Sequence, residues 1–190
     1  MPYRWAMSAA APRGARSRRD LLIDTTLDVI AEHGVAGTTH RRVAAAAGVP
    51  LGSTTYYFAD LADLLQAAFG RFADLISERF EARLAPARTP AEAITAITDF
   101  LLGDDDPREL ALSYEFYALA IRQPAVAALV EAWFARSQQA LAPFFDAVTA
   151  RMIDTHVEGL FTYRGLAHDA ADGPEIRRAL ELLSGISAAE

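Results

Sequence analysis

From residue 18 onward the apolar side chains recur at three- and four-residue intervals, and each run ends at a glycine, a proline or a pair of them. That period belongs to the α-helix. No segment alternates apolar and polar residues with period two, so no strand competes, and helices must pack on helices. The expected fold class is all-α.

The punctuation divides the chain. Helices are predicted over 18–33, 40–47, 50–57, 60–84, 90–102, 107–122, 124–149, 151–169 and 174–185. Gly34 and Gly48 stand where a left-handed residue stops a helix, Thr38 or Thr39 and Asp60 where a side chain caps the next, and Pro50 at a helix start. Pro143 falls inside the 124–149 run and is expected to kink or split it. The first three elements form a supporting helix followed by two short helices on a tight turn, the helix-turn-helix arrangement. The expected division is a disordered basic arm at 1–15, a helix-turn-helix domain at 16–60 and a helical ligand-binding and dimerisation domain at 61–190.

Charge follows the same division. Residues 1–58 hold seven arginines and four acids, whereas residues 59–190 hold eleven arginines and twenty-one acids. A basic end on an acidic body points to a polyanion that meets the first part alone. Every basic side chain is arginine, and alanine is abundant, which matches GC-rich coding. The absence of cysteine excludes disulfides and thiolate metal sites and makes the reducing cytoplasm the expected compartment. No apolar run is long enough to span a bilayer, and the basic start is broken by Ser8 and Pro12, unlike a signal peptide.

Within THRRVAAAAGVPLGSTTYYF, residues 39–58, there is no carboxylate. Thr39, His40, Arg41 and Arg42 stand at a helix N-terminus, where free N–H groups favour a phosphate. A helix that enters the major groove needs small or polar residues on its leading face, and Leu51, Gly52, Ser53, Thr54 and Thr55 supply it. The Tyr56 and Tyr57 hydroxyls reach for phosphate oxygens, while Phe58 plugs a small core. A purely structural helical hairpin with solvated arginines fits the same pattern.

The segment from Arg18 to Leu65 resembles the TetR family of transcriptional regulators. The resemblance rests on the first helix to Gly34, Thr38-Thr39, Val43-Ala44, Ala47-Gly48-Val49, Gly52, Tyr57-Phe58, Asp60 and Leu64-Leu65. It implies an all-helical homodimer, usually a repressor, with two reading heads on a palindromic double-stranded DNA operator and a body that binds a small-molecule effector. Thr39 and Arg41 match the family's DNA contacts on the second helix, and Leu51, Gly52, Ser53, Thr55 and Tyr57 those on the recognition helix. Thr55 stands where the family most often has tyrosine, Tyr57 where it often has histidine, and Leu61 where a lysine is common. Arm residues Arg4, Arg13 and Arg16, with Arg18 and Arg19, could add phosphate or minor-groove contacts, or be solvated.

The body shows no Gly-rich phosphate loop, no HExxH and no GxSxG. His33, His40, His156 and His168 are scattered, so neither enzyme, cofactor nor metal site is expected. The expected ligand-binding residues are Phe69, Phe72, Phe100, Tyr114, Tyr117, Ile121, Trp133 and Phe134, with Glu115 and Arg136 as polar anchors. Aromatics at this spacing equally describe plain core. Ile153, His156, Val157, Gly159, Leu160 and Tyr163 form the expected dimer seam, joined by the last helix in an isologous four-helix contact. Two other readings share these features: a helical small-molecule carrier with a vestigial head, and a regulator controlled by a protein partner.

Overall fold

The computed structural model describes residues 17–103, 106–166 and 171–186. The arm expected at 1–15 and His168 lie outside them. Among the described residues the chain forms α1 (Arg18–Gly37), α2 (His40–Ala46), α3 (Gly52–Tyr57), α4 (Leu61–Leu84), α5 (Pro90–Gly103), α6 (Pro107–Ala120), α7 (Pro124–Leu141), α8 (Ala147–Leu166) and α9 (Gly173–Ser184). No helix among them is long and apolar enough to cross a membrane.

The breakers act where local chemistry demands. Ser17 opens α1 by accepting the Asp20 N–H at 3.1 Å. Gly34 interrupts that helix with φ 67 and ψ 170, a conformation that side chains with a Cβ avoid. Gly48, with φ 65, turns the chain between α2 and α3. Pro50 precedes α3 by two residues rather than opening it, and its carbonyl accepts the Ser53 N–H at 2.9 Å.

Pro143 splits the run expected over 124–149: α7 ends at Leu141 and α8 begins at Ala147. The start expected at 151 moves to 147 because Asp146 accepts the N–H groups of Val148 and Thr149 at 2.9 and 3.0 Å. Asp172 and Glu175 form a reciprocal capping box at the start of α9.

Three apolar clusters hold the helices, and α4 threads all of them. Leu64 joins Leu22, Ile23, Val29, Val43 and Phe58 in the core of the three-helix head. Leu65, Phe69 and Phe72 pack with Leu27, Phe116 and Trp133 from α1, α6 and α7. Phe80 and Leu84 reach a third cluster built on α5, α8 and α9 around Ile97, Ile153 and Leu180. Each large side chain buried in this way contributes about 1.5–3 kcal/mol. α4 runs unbroken from head to body, at about 1.5 Å per residue.

Three of the four acids of α1 are spent on docking. Arg71 of α4 donates to Asp20 at 2.6 Å and to Asp24 at 3.0 Å, and Arg108 of α6 pairs with Asp28. This stripe at four-residue spacing faces the body, while α2 and α3, within residues 39–58, carry no carboxylate.

Candidate nucleic-acid interface and ligand cavity

Thr39 caps α2 by accepting the Arg42 N–H at 3.1 Å, which fixes the side chains that follow. Thr39, Arg41, Arg42, Leu51, Gly52, Thr55 and Tyr56 are exposed; His40, Ser53 and Tyr57 are half-buried. Tyr56 is 80% exposed and meets the Tyr57 ring edge-on at 4.9 Å. The Arg42 guanidinium donates to the Gly37 carbonyl, so it is already held. Thr54, expected on the leading face, instead turns inward, buried by the turn of α3 that points it at the core, and donates to the Leu51 carbonyl at 2.8 Å; Phe58 fills the core beneath Arg19, whose guanidinium lies 5.2 Å from its ring. The result is one neutral-to-cationic surface made by two short helices.

Gly52 has no positive φ, and a Cβ there would meet nothing within 4 Å. The fold itself therefore does not require glycine at this position. A surface that must be approached closely does.

Inside the body, α4 to α8 enclose a cavity of about 290 Å³. Phe100, Tyr114, Tyr117, Trp133 and Arg136, all named from the sequence, line it. Five other expected residues do not. Phe69 and Phe72 face the middle cluster, where Phe69 stacks on Phe116 at 4.9 Å. Phe134 packs on the same cluster from α7. Ile121 sits at the end of α6 and is 87% exposed. Glu115 points toward the head: its Oε2 accepts the Val35 N–H at 2.9 Å, which ties α6 to the end of α1 just past its break at Gly34.

Arg136 is no free anchor for an anion. It makes a two-pronged contact with Glu81 at 2.5 and 2.8 Å and reaches Asp74 at 3.2 Å. This pairing holds Glu81 below the usual carboxylate range.

Sequence reasoning missed Glu158, Phe80 and Phe161, which also line the cavity. Glu158 accepts a hydrogen bond from the Tyr117 hydroxyl at 2.5 Å. Burial pushes its carboxyl up to about 7 against the opposing effect of that bond, and Asp154 on the same helix adds to the rise. Burial, then the Glu158 charge, also raises the Tyr117 hydroxyl. The available signal was an acid set among the apolar positions Ile153, Val157 and Phe161 of one helix.

The expected seam divides in two. Ile153 and Val157 are buried in the chain's own third cluster, because their side of α8 faces α5, α7 and α9. They do not belong to the outer face. His156, Gly159, Leu160 and Tyr163 instead line an open groove with Met152, Thr155 and Leu183. Tyr163 is more than half exposed there, as are Leu166 and Leu182 on the same two helices. The buried Nε2 of His156 has no partner among the described residues, and burial lowers the imidazole's pKa.

The chain has relatives on both sides of this division. Residues 22–68 match the model of bacterial regulatory proteins, tetR family, and residues 88–185 match the tetracyclin repressor-like C-terminal domain. The curated relatives include the transcriptional regulator CymR of Pseudomonas putida, 34% identical over 109 residues that cover 55% of this chain and 52% of CymR. The chain spans about half the length of the curated relatives it matches.

Among solved structures, SCO7518 from Streptomyces coelicolor A3(2) superposes with a TM-score of 0.83 at 42% identity, over 88% of this chain and 98% of that one. The multidrug binding protein EbrR complexed with ethidium gives 0.73 at 32% identity, over 89% and 99%. With both parts of the chain matched and the likeness extending over nearly the whole of these structures, the chain belongs to the tetR family of bacterial regulatory proteins.

Proposed function

We propose that this chain is a dimeric transcriptional repressor whose heads bind a palindromic operator and whose body releases them when a small molecule enters the cavity. The observation that carries this reading is the position of α6. Its Ser113, Tyr114 and Tyr117 line the cavity, while the intervening Glu115 holds the backbone of the head at Val35. A molecule that displaces α6 must therefore strain the contact that seats the head, and α4, threaded through all three cores, carries the same displacement.

In this reading Thr39, Arg41, Gly52, Ser53, Thr55, Tyr56 and Tyr57 meet DNA, with His40, Arg42 and Leu51 at the edges. The outer groove of α8 and α9 meets a second copy of the chain. The heads would then be spaced for two half-sites of fixed separation, and a change in their spacing weakens binding. A ligand acts this way only if it binds the misplaced state more tightly. That EbrR holds ethidium supports a small-molecule effector for this body. The proposed compartment is the cytoplasm, where the DNA lies.

The test is a fluorescence-anisotropy titration of the full chain against duplexes from the region flanking its own gene. A saturable, salt-sensitive shift with one palindromic duplex and only weak binding to shuffled sequence is expected. Equal affinity for all duplexes would sink the reading.

A further inference from the structure

The cavity's polar groups are arranged by charge. Arg136 is the cation in its lining, and Glu81 and Asp74 already neutralise it. The acids are Glu81, Asp106, Glu109 and Glu158. Three of them are occupied: Glu81 by Arg136, Glu109 by a two-pronged contact with Arg79 at 2.5 and 2.7 Å, and Asp106 by the N–H of Arg108 at the start of α6. Glu158 differs. Its partner among the described residues is the neutral Tyr117 hydroxyl, and no described cation forms an ion pair with it.

A carboxylate withdrawn from water without a cation is costly in an empty cavity. Its raised pKa reflects that cost. Around it stand aromatic faces. Tyr117 stacks on Trp133 at 5.9 Å with planes 9° apart, and Phe100 meets Phe80 and Phe161 at 5.2 and 5.8 Å. Rings stabilise a cation through their negative faces and a flat apolar body by stacking. An anionic ligand would meet the acids, with no free guanidinium among the described residues of the lining to receive it.

We propose that the effector is a flat, aromatic organic cation, with Glu158 as its counter-ion and Tyr117 as the hydroxyl that holds this carboxylate until the ligand arrives. This rests on the reading of the cavity as the effector site and specifies its chemistry. The charge of the ligand supplies what Glu158 lacks, and its rings take the Tyr117–Trp133 and Phe100 walls. The cavity's volume admits a compact molecule of two or three fused rings.

The probes are 10-methylacridinium, a permanent cation, and acridine, its neutral parent at pH 8, titrated calorimetrically into the full chain. The cation is expected to bind at least about tenfold more tightly than acridine. Glu158→Gln, which keeps an acceptor for Tyr117, is expected to remove that advantage and leave acridine unchanged. Tyr117→Phe, which frees the carboxylate, is expected to retain the preference for the cation. Equal binding of the two probes to the wild-type chain, no binding of either, or an undiminished cation preference in Glu158→Gln would overturn the proposal. Release of operator DNA is measured separately. Acridine binding as tightly as the cation and releasing DNA would leave the repressor reading standing and remove this one. Glu158-dependent cation binding without release would do the reverse.

Discussion

The Glu115 carboxylate accepts the backbone N–H of Val35 at 2.9 Å, across 80 positions of sequence, and it packs against Gly34 so closely that a Cβ there would lie 2.8 Å from Oε1. Head and body thus share one contact that needs a bare backbone on one side and an acid on the other. Gly34→Ala is expected to destabilise the chain by about 1–3 kcal/mol, chiefly through the positive φ, since the tip of the Glu115 side chain can shift. Glu115→Ala leaves the Val35 N–H without its partner and is expected to cost about 1–3 kcal/mol. Because the first loss is set by the backbone and the second by the lost hydrogen bond, the two should nearly add in the double variant, as measured by urea unfolding. A double variant that costs clearly less than the sum would mean that Gly34→Ala acts through the Glu115 contact instead.

At Gly52 the fold leaves space that it does not use. Gly52→Ala is therefore expected to leave stability unchanged or to raise it by up to about 1 kcal/mol through helix propensity. Operator affinity should nonetheless fall, on the order of tenfold, because the added methyl stands on the surface proposed to approach base edges. Thermal unfolding and operator titration read the two effects independently. An unchanged affinity would move the DNA contact elsewhere on the head.

The head was legible because its determinants are local. Caps, glycines and the acid-free run each act within a few residues, so their spacing alone shows the arrangement of α1 to α3. The body's helices were legible for the same reason, and Pro143 marked the break between α7 and α8. The cavity was only partly legible. Phe69 and Phe100 look alike as apolar residues on helices, yet one stacks on Phe116 in the core and the other lines the cavity. That distinction depends on how helices are rotated against one another, which helical periodicity does not encode. Glu115 and Glu158 were harder still, because their partners, Val35 and Tyr117, lie 80 and 41 residues away.

Glu158 makes stability depend on pH in an unusual direction. Its proton is held to about 7 in the folded chain, against an ordinary glutamate value near 4.5. The folded state therefore binds more protons between these values, and its stability should fall as pH rises through that window. The groups that act on it are the Tyr117 hydroxyl, which opposes the rise, and Asp154, which adds to it. Because Glu158 is only partly buried, the full shift overstates the effect, and about 1–2 kcal/mol is expected after allowing for solvent screening. Glu158→Gln should match the wild-type chain near pH 4.5 and exceed it by that amount at pH 8.5 in denaturant melts without ligand. A difference independent of pH would show that the carboxyl titrates normally.

The outer groove of α8 and α9 carries the last prediction. Met152 and Tyr163 in it, and Leu166 and Leu182 on the same two helices, are large apolar side chains left exposed, and Gly159 at its floor has nothing within 4 Å of where a Cβ would stand. A second copy related by a two-fold axis would cover both grooves at once. Gly159→Glu places a charge at that floor without touching the chain's own core. Helix content by circular dichroism should be unchanged, since glutamate is a better helix former than glycine. Sedimentation equilibrium should show the wild-type chain as a dimer and the variant as a monomer. Operator affinity should drop by at least about a hundredfold, because two linked heads raise each other's effective concentration at adjacent half-sites. A variant that stays dimeric would place the contact between copies on another face.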